Sequence, residues 1–308
     1  MEASWRGFRI AVTGASGFCG SVVARAAAAA GADVVCLGRR PGPVGKHFTW
    51  DAAREAPDLA GADVVIHLAA TVGGPSTWTQ FRRVNVDGGR RLLDAARSRP
   101  VVWVSTASVY DPRLDRGLVR EDHPVGGHLT AYTRTKAAGE RFALAAGAVV
   151  LRPYAVYGPG DRYLLPRIVN AARCGRVLLP GADVRLSLTA VENLADACLT
   201  APAWPAGAYN ITDAAPYQRD DAIVATLRAL GTNARIRHVP IWLAAAAADA
   251  TAGRTRLGPY TVEQVASTVV LDGTRAAQQG FRPRRVLADY LRDLGSRPPE
   301  ASRQVSRR

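Results

Sequence analysis

Thr13-Gly14-Ala15-Ser16-Gly17-Phe18-Cys19-Gly20 follows a short apolar run at 9–12 and opens an alanine-rich helical stretch. Gly14 allows a tight turn, Gly17 lets backbone approach a pyrophosphate, and Gly20 lets the helix pack closely on a sheet. Backbone N–H groups at the start of such a helix favour phosphate. The position of the loop, after a strand and before a helix, predicts a dinucleotide-binding turn. The alternative is a glycine-rich turn without a ligand.

Short, continuously apolar segments alternate with helical patterns through the first half of the chain. The apolar segments are 9–12, 33–37, 63–67, 101–105 and 148–151, and the helical patterns are 18–30, 79–97 and 130–146. Apolar runs of this kind are typical of parallel strands covered by helices on both faces. With right-handed crossovers, the sequence predicts an α/β fold with a doubly wound parallel sheet of the Rossmann type.

The second half of the chain has a looser pattern that prolines interrupt. We expect a dinucleotide-binding Rossmann region over residues 1–152 and a smaller C-terminal substrate lobe over 153–295, interleaved with the last strands of the sheet. Residues 296–308 are rich in Pro, Ser and Arg, and their composition predicts a disordered basic tail.

Composition excludes several classes of protein. With 40 Lys+Arg against 26 Asp+Glu the net charge is +14, but the arginines are spread along the chain, which disfavours nucleic-acid binding and favours an anionic cofactor or substrate. The chain has no apolar run of about 20 residues and no basic-then-apolar start, so we expect no membrane span and no secretion signal. Cys19, Cys36, Cys174 and Cys198 form no CxxC pair, which predicts free thiols, no metal site and a cytoplasmic location.

The end of the second apolar segment distinguishes the two nicotinamide cofactors. A site for NAD places Asp or Glu there to hold the ribose 2′-hydroxyl, whereas this chain has Gly38 followed by Arg39 and Arg40. Guanidinium groups pair with a 2′-phosphate. We therefore predict NADP(H); the alternative is that both arginines are solvated loop charges.

Tyr132 and Lys136 have the spacing that places two side chains on one face of a helix, one turn apart. An ammonium near a phenol favours the phenolate, so the pair is suited to proton exchange near neutral pH. The chain has only two lysines, Lys46 and Lys136, and one of them is found at this position. A chance YxxxK match is the alternative.

Hydroxyl side chains end the buried segment at 101–105. Thr106 and Ser108 follow Ser105 there, at the edge of the sheet where doubly wound folds bind ligands. A hydroxyl at that edge can donate to a carbonyl oxygen as negative charge develops, although a hydroxyl can also merely cap a strand end.

Together these residues resemble the extended short-chain dehydrogenase/reductase family, also called the NAD-dependent epimerase/dehydratase family, from Arg9 to about Leu294. The matching motifs are TGASGFCG at 13–20, HLAA at 67–70, VNVDG at 84–88, STASVY at 105–110, YTRTKAAGE at 132–140, RPYAVYGPG at 152–160, VENLA at 191–195 and AYNI at 208–211.

The resemblance implies roles for individual residues. Tyr132 is then the general acid/base, Lys136 binds the nicotinamide ribose and lowers the pKa of the tyrosine, and Thr106 orients the carbonyl. Asn85 supports the active-site helix and the proton path. The implied cofactor contacts are Gly14, Ser16, Gly17, Phe18, Gly20, Leu68, Ala69, Ala70 and Lys136, with Arg39, Arg40 and Asp51 toward the adenosine end. Members often pair through the helices that hold YxxxK and VNxxG, which makes a homodimer possible.

Two departures disfavour a nucleotide-sugar substrate. Nucleotide-sugar members carry Asn where this chain has Ala155, and Arg185 lies one residue away from their sugar-nucleotide arginine. The resemblance is greater to the ketone-reductase and hydroxysteroid-dehydrogenase-like branch. We expect NADPH-dependent reduction of a ketone or aldehyde on a small molecule; the alternatives are a nucleotide-sugar 4-ketoreductase or 4-epimerase, and a non-catalytic NADP-binding regulator.

A further set of residues is expected to contact the substrate. Ser108 lies beside the catalytic hydroxyl, and Tyr154, Tyr157 and Trp242 are candidates to line an apolar pocket. The three aromatic residues can equally be ordinary core residues.

Overall fold

A computed structural model describes residues 4–73, 76–173, 175–250 and 259–296 of the chain. The strands are β1 (Arg9–Thr13), β2 (Asp33–Gly38), β3 (Lys46–Thr49), β4 (Val64–His67), β5 (Val101–Val104), β6 (Val149–Pro153), β7 (Val156–Tyr157), β8 (Ala172–Arg173), β9 (Arg176–Pro180), β10 (Arg185–Leu186), β11 (Thr189–Ala190), β12 (Gly207–Ile211), β13 (Tyr217–Gln218) and β14 (Arg235–Val239). The α-helices are α1 (Phe18–Ala29), α2 (Trp78–Arg82), α3 (Gly89–Ala96), α4 (Ala131–Ala145), α5 (Leu164–Ala171), α6 (Val191–Thr200), α7 (Arg219–Ala229), α8 (Ile241–Ala250), α9 (Pro259–Ala266), α10 (Thr274–Gln278) and α11 (Leu287–Gly295).

The central sheet of the described residues has seven strands in the order β12-β6-β5-β4-β1-β2-β3. All its pairs are parallel. The chain moves outward from β1 to β3 and then returns to build the sheet in the other direction from β4. The crevice at this reversal, outside the carboxyl ends of β1 and β4, is where doubly wound folds bind ligands. The predicted fold class is confirmed.

Burial on both faces explains why the strands are apolar throughout. Alternate residues of β1 face opposite sides: Ile10 and Val12 contribute to one core cluster, and Ala11 to the other. Helices α1 and α6 pack against each other over the first cluster. On the other side, Leu92 of α3 and Ala143 of α4 pack with Trp103 of β5.

The C-terminal lobe is built from short strands and helices. Its small sheets are β8–β9–β14, β7–β11 and β10–β13. Strand β12 lies within the central sheet, beside β6. The division of the chain at residue 152 stays a prediction, and the expected tail beyond residue 296 lies outside the described residues.

Two local features differ from the pattern in the sequence. The expected helix at 79–97 is interrupted by a π-helical turn at Arg83–Gly88, which joins α2 to α3. Strand β3 forms an edge beside β2, although its sequence, Lys-His-Phe-Thr, has no apolar run.

Within the ranges that the structure describes, no helix has both the length and the apolar character needed to cross a membrane. The same ranges contain no cluster of three potential metal ligands, and Cys19, Cys36 and Cys198 are free thiols. Cys174 lies outside the described residues.

Candidate active site

The backbone of the glycine loop packs closely on the segment after β4 and on the first turn of α1, which leaves no room for side chains there. This close packing is typical of a loop that binds a dinucleotide phosphate. A Cβ on Gly14, whose φ is +71°, would lie 2.8 Å from the amide nitrogen of Ala69. A Cβ on Gly20 would lie 2.3 Å from the carbonyl oxygen of Gly14. Gly17 is the N-cap of α1, and no side chain caps the helix or adds an acidic charge to its first turn. The first amides of α1 therefore remain for an anionic ligand.

Thr13 holds this loop against the end of β4. Its Oγ1 accepts hydrogen bonds from the amides of Leu68 and Ala69, each at 3.1 Å, and lies 2.9 Å from Nδ1 of His67. A hydroxyl that accepts twice has its proton left to donate to His67. Burial, with a smaller contribution from Lys136, lowers the pKa of His67 to about 3, so the ring is neutral. Thr13, the first residue of the loop motif, was not predicted to have this role, because the glycine spacing says nothing of its side chain.

Gly38, at the end of β2, has free space around it at the position where NAD-binding chains carry an acidic side chain. A Cβ on Gly38 would have only one neighbour, at 3.9 Å. Arg39 and Arg40 follow as exposed residues, and neither has a hydrogen bond or ion pair with its side chain in the part of the chain that the structure describes. Asp51, at the same edge, accepts from the amide of Ala53 at 3.0 Å and so stabilises its own turn.

Lys136 is buried against the carboxyl end of β5. Its Nζ donates to the carbonyl oxygen of Val104 at 2.7 Å. Desolvation lowers the pKa of this ammonium to about 8, and the neighbouring Glu140 carboxylate opposes the shift. The group therefore remains mostly charged at pH 7, and two of its three N–H donors are left for ligand hydroxyls.

Helix α4 carries Tyr132, Lys136 and Glu140 at intervals of four residues, on one face. Thr130 caps the helix by accepting from the amide of Thr133 at 3.1 Å. Tyr132 is half-buried in the first turn of the helix. Lys136 is bound to the last residue of β5, and Tyr132 lies one turn before it on the same face of α4. The helix also contacts the short turn Ala107–Val109, which follows Thr106.

Those hydroxyls have different partners. Thr106 is buried, and its Oγ1 accepts from the amide of Ser108 at 3.2 Å, which leaves its proton free to be donated to a ligand. Ser105 instead donates to Glu140, so it belongs to the support of the site. The structure thus brings together Thr106, Lys136 and the helix that carries Tyr132.

Glu140 and Arg152 form a buried ion pair behind the site. The Nε of Arg152 donates to Oε1 of Glu140 at 3.0 Å, its Nη2 donates to the same oxygen, and its guanidinium lies 4.7 Å from the centre of the Tyr110 ring. The Nη1 donates to the carbonyl oxygen of Glu121 at 3.1 Å. This network ties α4 to β5 and β6. The sequence analysis noted both residues as motif positions without assigning this role.

Asn85, in the π-helical turn, clamps two parts of the site. Its side chain accepts from the amide of Thr71 at 2.8 Å and donates to the carbonyl oxygen of Thr71 at 3.0 Å. It also donates to Oγ1 of Thr135 at 3.1 Å, and that hydroxyl donates in turn to the carbonyl oxygens of Ala131 and Tyr132. Asn85 therefore holds the first turn of α4 against the loop after β4.

The aromatic candidates occupy three different environments. The Tyr154 hydroxyl donates to Oε1 of Gln264 at 3.1 Å, and its ring packs with Tyr110. Tyr157 donates to Oδ2 of Asp213 at 2.6 Å and packs in the lobe core, as an ordinary core aromatic does. The side chain of Trp242 is 71% exposed at the start of α8, and its place in a substrate pocket stays a prediction.

Next to the hydroxyl residues lies a cavity that we call the polar hollow. It is lined by side chains from the segment 108–133 and from α9, among them Ser108, Arg116, His128, Thr133, Glu263 and Gln264. Of the residues predicted to contact substrate, Ser108 lines it, and Tyr154 lies behind it through the bond to Gln264. Arg116, His128, Glu263 and Gln264 were not predicted, because no local pattern marks them.

Known proteins share both this sequence pattern and this fold. The model of the NAD dependent epimerase/dehydratase family matches residues 10–212. The chain therefore belongs to this family, as its motifs predict. It is a family of oxidoreductases and epimerases that use a nicotinamide dinucleotide.

Two relatives in sequence have names of reductases. The chain is 31% identical to "4-hydroxy-2-methyl-3-oxo-4-farnesyl-3,4-dihydroquinoline-1-oxide ketoreductase" from Stigmatella aurantiaca, over 78% of both chains. It is 30% identical to "2-alkyl-3-oxoalkanoate reductase" from Stenotrophomonas maltophilia, over 72% of this chain and 76% of the relative. The predicted resemblance to ketone reductases is thereby confirmed.

A solved structure with the same fold is that of MoeE5 in complex with UDP-glucose and NAD. It is 26% identical, has a TM-score of 0.74, and the similarity covers 97% of this chain and 99% of MoeE5. The family thus includes nucleotide-sugar binders as well as ketone reductases, and the choice between them depends on the site.

Proposed function

We propose that this protein reduces a ketone or aldehyde on a small molecule, with NADPH as the reductant. The observation that carries the proposal is the placement of Lys136: its buried ammonium is bound to Val104 at the end of β5, two residues before Thr106, and Tyr132 lies one helical turn away on α4. The names of the two relatives in sequence support a carbonyl substrate.

Each side chain then has a defined task. Thr106 donates its hydroxyl proton to the carbonyl oxygen, and Tyr132 transfers a proton to that oxygen as negative charge develops on it. The Lys136 ammonium favours ionisation of the phenol and keeps two N–H donors for ribose hydroxyls. Asn85 fixes the turn of α4 on which Tyr132 lies. When bound, the nicotinamide supplies the hydride, and the protein contributes position and charge stabilisation.

The preference for NADPH rests on the end of β2. Gly38 offers no carboxylate to a ribose 2′-hydroxyl, and the exposed guanidinium groups of Arg39 and Arg40 have no ion-pair partner among the described residues. A 2′-phosphate would supply that partner. MoeE5 contains NAD, so the proposal is specific to the residues of this chain.

A nucleotide-sugar 4-ketoreductase or 4-epimerase is the second candidate, because MoeE5 binds a nucleotide sugar on the same fold. Against it stands Ala155, which has φ of +43° at a position where nucleotide-sugar members carry Asn. Asn tolerates positive φ better than Ala does, so the bend is present without the side chain that would contact a sugar nucleotide.

A panel of carbonyl compounds separates these candidates. The protein, assayed with NADPH and with NADH, is expected to oxidise NADPH in proportion to carbonyl added, with the higher kcat/KM for NADPH. Nicotinamide that stays bound through purification, with turnover of a nucleotide sugar and no added reductant, would instead identify an epimerase. Tight NADPH binding with no reduction across the panel would identify the third candidate, a non-catalytic regulator. A homodimer and a cytoplasmic location remain predictions.

A further inference from the structure

The polar hollow contains a buried ion pair that joins the two halves of the chain. The side chain of Arg116 is 5% exposed, and its Nη2 donates to Oε1 of Glu263 on α9. The backbone supports this contact, since the carbonyl oxygen of Arg116 accepts from the amide of Val270 at 2.9 Å. Arg116 is therefore fixed in place at the wall of the hollow.

Several polar atoms of the polar hollow have no partner. Among the described residues, no other hydrogen bond is made by the guanidinium of Arg116, and none by the hydroxyl of Ser108. The Nδ1 of His128 is buried and has no hydrogen-bond partner within the described ranges. Burial lowers the pKa of His128, so at pH 7 the ring is neutral. A buried polar atom without a partner is costly, so Nδ1 of His128 is suited to receive a polar ligand. The remaining N–H groups of Arg116 and the hydroxyl of Ser108 are available to the same ligand.

The charges indicate what kind of group the ligand brings. Arg116 is compensated by Glu263, and His128 is neutral, so the hollow has no net charge. A carboxylate placed there would face the Glu263 carboxylate, and an alkyl group would leave the polar atoms unpaired. An uncharged group that both accepts and donates hydrogen bonds fits this site. It can accept a hydrogen bond from the Arg116 guanidinium and donate one to the Glu263 carboxylate.

Gln264 completes this arrangement. Its Oε1 accepts from the Tyr154 hydroxyl, which fixes the amide so that its Nε2 faces Glu263 at 3.4 Å. Tyr154 is thus a positioning residue for the wall of the hollow. The arrangement draws on segments that are 147 residues apart in sequence, Arg116 and Glu263.

We propose that the polar hollow is a substrate subsite for an uncharged amide or hydroxyl group adjacent to the reacting ketone, and that Arg116 and Glu263 determine this specificity. The position of the ketone rests on the proposed function, since Ser108 and Thr133 of the hollow adjoin Thr106 and Tyr132. The subsite itself rests only on the contacts of the hollow.

Three probes that differ only beyond the ketone test the subsite: 3-oxohexanamide, freshly prepared 3-oxohexanoate and 2-pentanone. Each is titrated by calorimetry into the full chain with saturating NADP⁺, and each is assayed for turnover with NADPH. The amide is expected to bind about tenfold more tightly than either of the others, because only it pairs both kinds of atom. Tighter binding of the carboxylate, equal binding of all three, or no binding would overturn the proposal.

Glu263→Gln tests the role of charge. The substitution leaves the Arg116 cation uncompensated, so the binding ratio of 3-oxohexanoate to 3-oxohexanamide is expected to rise about tenfold. Arg120→Met is the matched control: it removes an exposed arginine of the same segment that has no ion-pair partner among the described residues, and the ratio should not change. An unchanged ratio in folded Glu263→Gln protein contradicts the proposal.

A second variant covers the case in which Glu263→Gln does not fold. Arg116→Lys keeps the charge and loses the planar fork, so the amide should lose about tenfold in affinity while 2-pentanone binding stays the same. Equal losses for both probes would indicate a merely structural ion pair. Turnover of other ketones without preference for the amide would overturn this inference alone, and amide binding without any NADPH oxidation would overturn only the proposed function.

Discussion

The cofactor side of the crevice and the polar hollow differ in how far the chain itself satisfies their polar side-chain atoms. On the cofactor side, the polar atoms of Thr13, Asn85 and Glu140 are satisfied by other parts of the chain. In the hollow, as far as the structure describes the chain, Nδ1 of His128 is buried without a partner and the guanidinium of Arg116 makes a single hydrogen bond, to Glu263. The first side is preorganised by the protein, whereas the second is completed by a ligand. Because of this difference, substitutions that change shape or charge should test the cofactor side through stability and nucleotide binding. The polar hollow is tested instead by the relative affinities of different ligands.

Tyr132 lies in the first turn of α4, and its removal should have the largest effect. In Tyr132→Phe, kcat should fall on the order of 10²-fold or more, because the proton donor is lost, while NADPH affinity should be kept. Stopped-flow turnover and fluorescence titration of NADPH measure the two. Tyr163→Phe, which changes a tyrosine that is 46% exposed, serves as the control. Turnover near the wild-type rate would remove Tyr132 from the mechanism.

Gly20→Ala tests the preorganised side. The new Cβ would lie 2.3 Å from the carbonyl oxygen of Gly14, so the loop must shift. We expect a loss of about 1–3 kcal/mol in the free energy of unfolding, by analogy with overpacking, together with weaker NADPH binding. Urea denaturation measures the first. Gly273→Ala, whose Cβ would meet only ordinary contact at 3.5 Å, should change neither quantity. Equal behaviour of the two variants would show that the close approach is unimportant.

The arginines after β2 test how the cofactor side selects its ligand. In the double variant Arg39→Ser/Arg40→Ser, kcat/KM for NADPH should fall about tenfold relative to that for NADH, because the guanidinium partners of a 2′-phosphate are gone. Paired steady-state kinetics measure the ratio. Arg292→Ser, at an arginine that is 75% exposed on α11, is the control for a general change of charge. A ratio that stays constant in the double variant contradicts the assignment of NADPH.

The smallest effect concerns the pH dependence of stability. The pKa of Lys136 is about 8 in the folded chain, lowered by burial from 10.5. Between these values the unfolded chain binds the proton and the folded chain does not, so the free energy of unfolding rises with pH in this window. Without nucleotide, this slope should be smaller in Lys136→Met, by at most about 1.4 kcal/mol per pH unit. Denaturation curves from pH 7 to 10.5 provide the comparison, and parallel curves for the two proteins would contradict it.

The sequence predicted the parts of this molecule that depend on neighbours in the chain. The glycine loop, the apolar strands and the Tyr132–Lys136 spacing are local patterns, and each fixes its own backbone. Strand β3 was missed because it is an edge strand without an apolar run, and its pairing with β2 provides what its sequence does not. The π-helical turn was missed because a helical pattern does not reveal one extra residue per turn.

The substrate side depended on contacts that no spacing encodes. Arg116 meets Glu263 across 147 residues, and Tyr154 meets Gln264 across 110. The sequence shows that a side chain is aromatic but not whether it lies in the core or on the surface. Tyr157 is a core residue and Trp242 is exposed, and no local pattern distinguishes them. The resemblance to the family therefore predicted a nicotinamide dinucleotide cofactor and an oxidoreductase family, while it did not predict the groups that line the polar hollow.

The π-helical turn at Arg83–Gly88 sets the rotation between α2 and α3, because it holds one residue more than an α-helical turn. In an α-helix each residue rotates the chain by about 100°, so a residue lost or gained redirects every side chain that follows. The π-helical turn accommodates one additional residue without this redirection of the side chains that follow. It lets Phe81 and Leu92 stay buried on either side while Asn85 reaches Thr135. A single-residue deletion in this turn would force the chain to lose either its packing against the sheet or the bond by which Asn85 holds the first turn of α4.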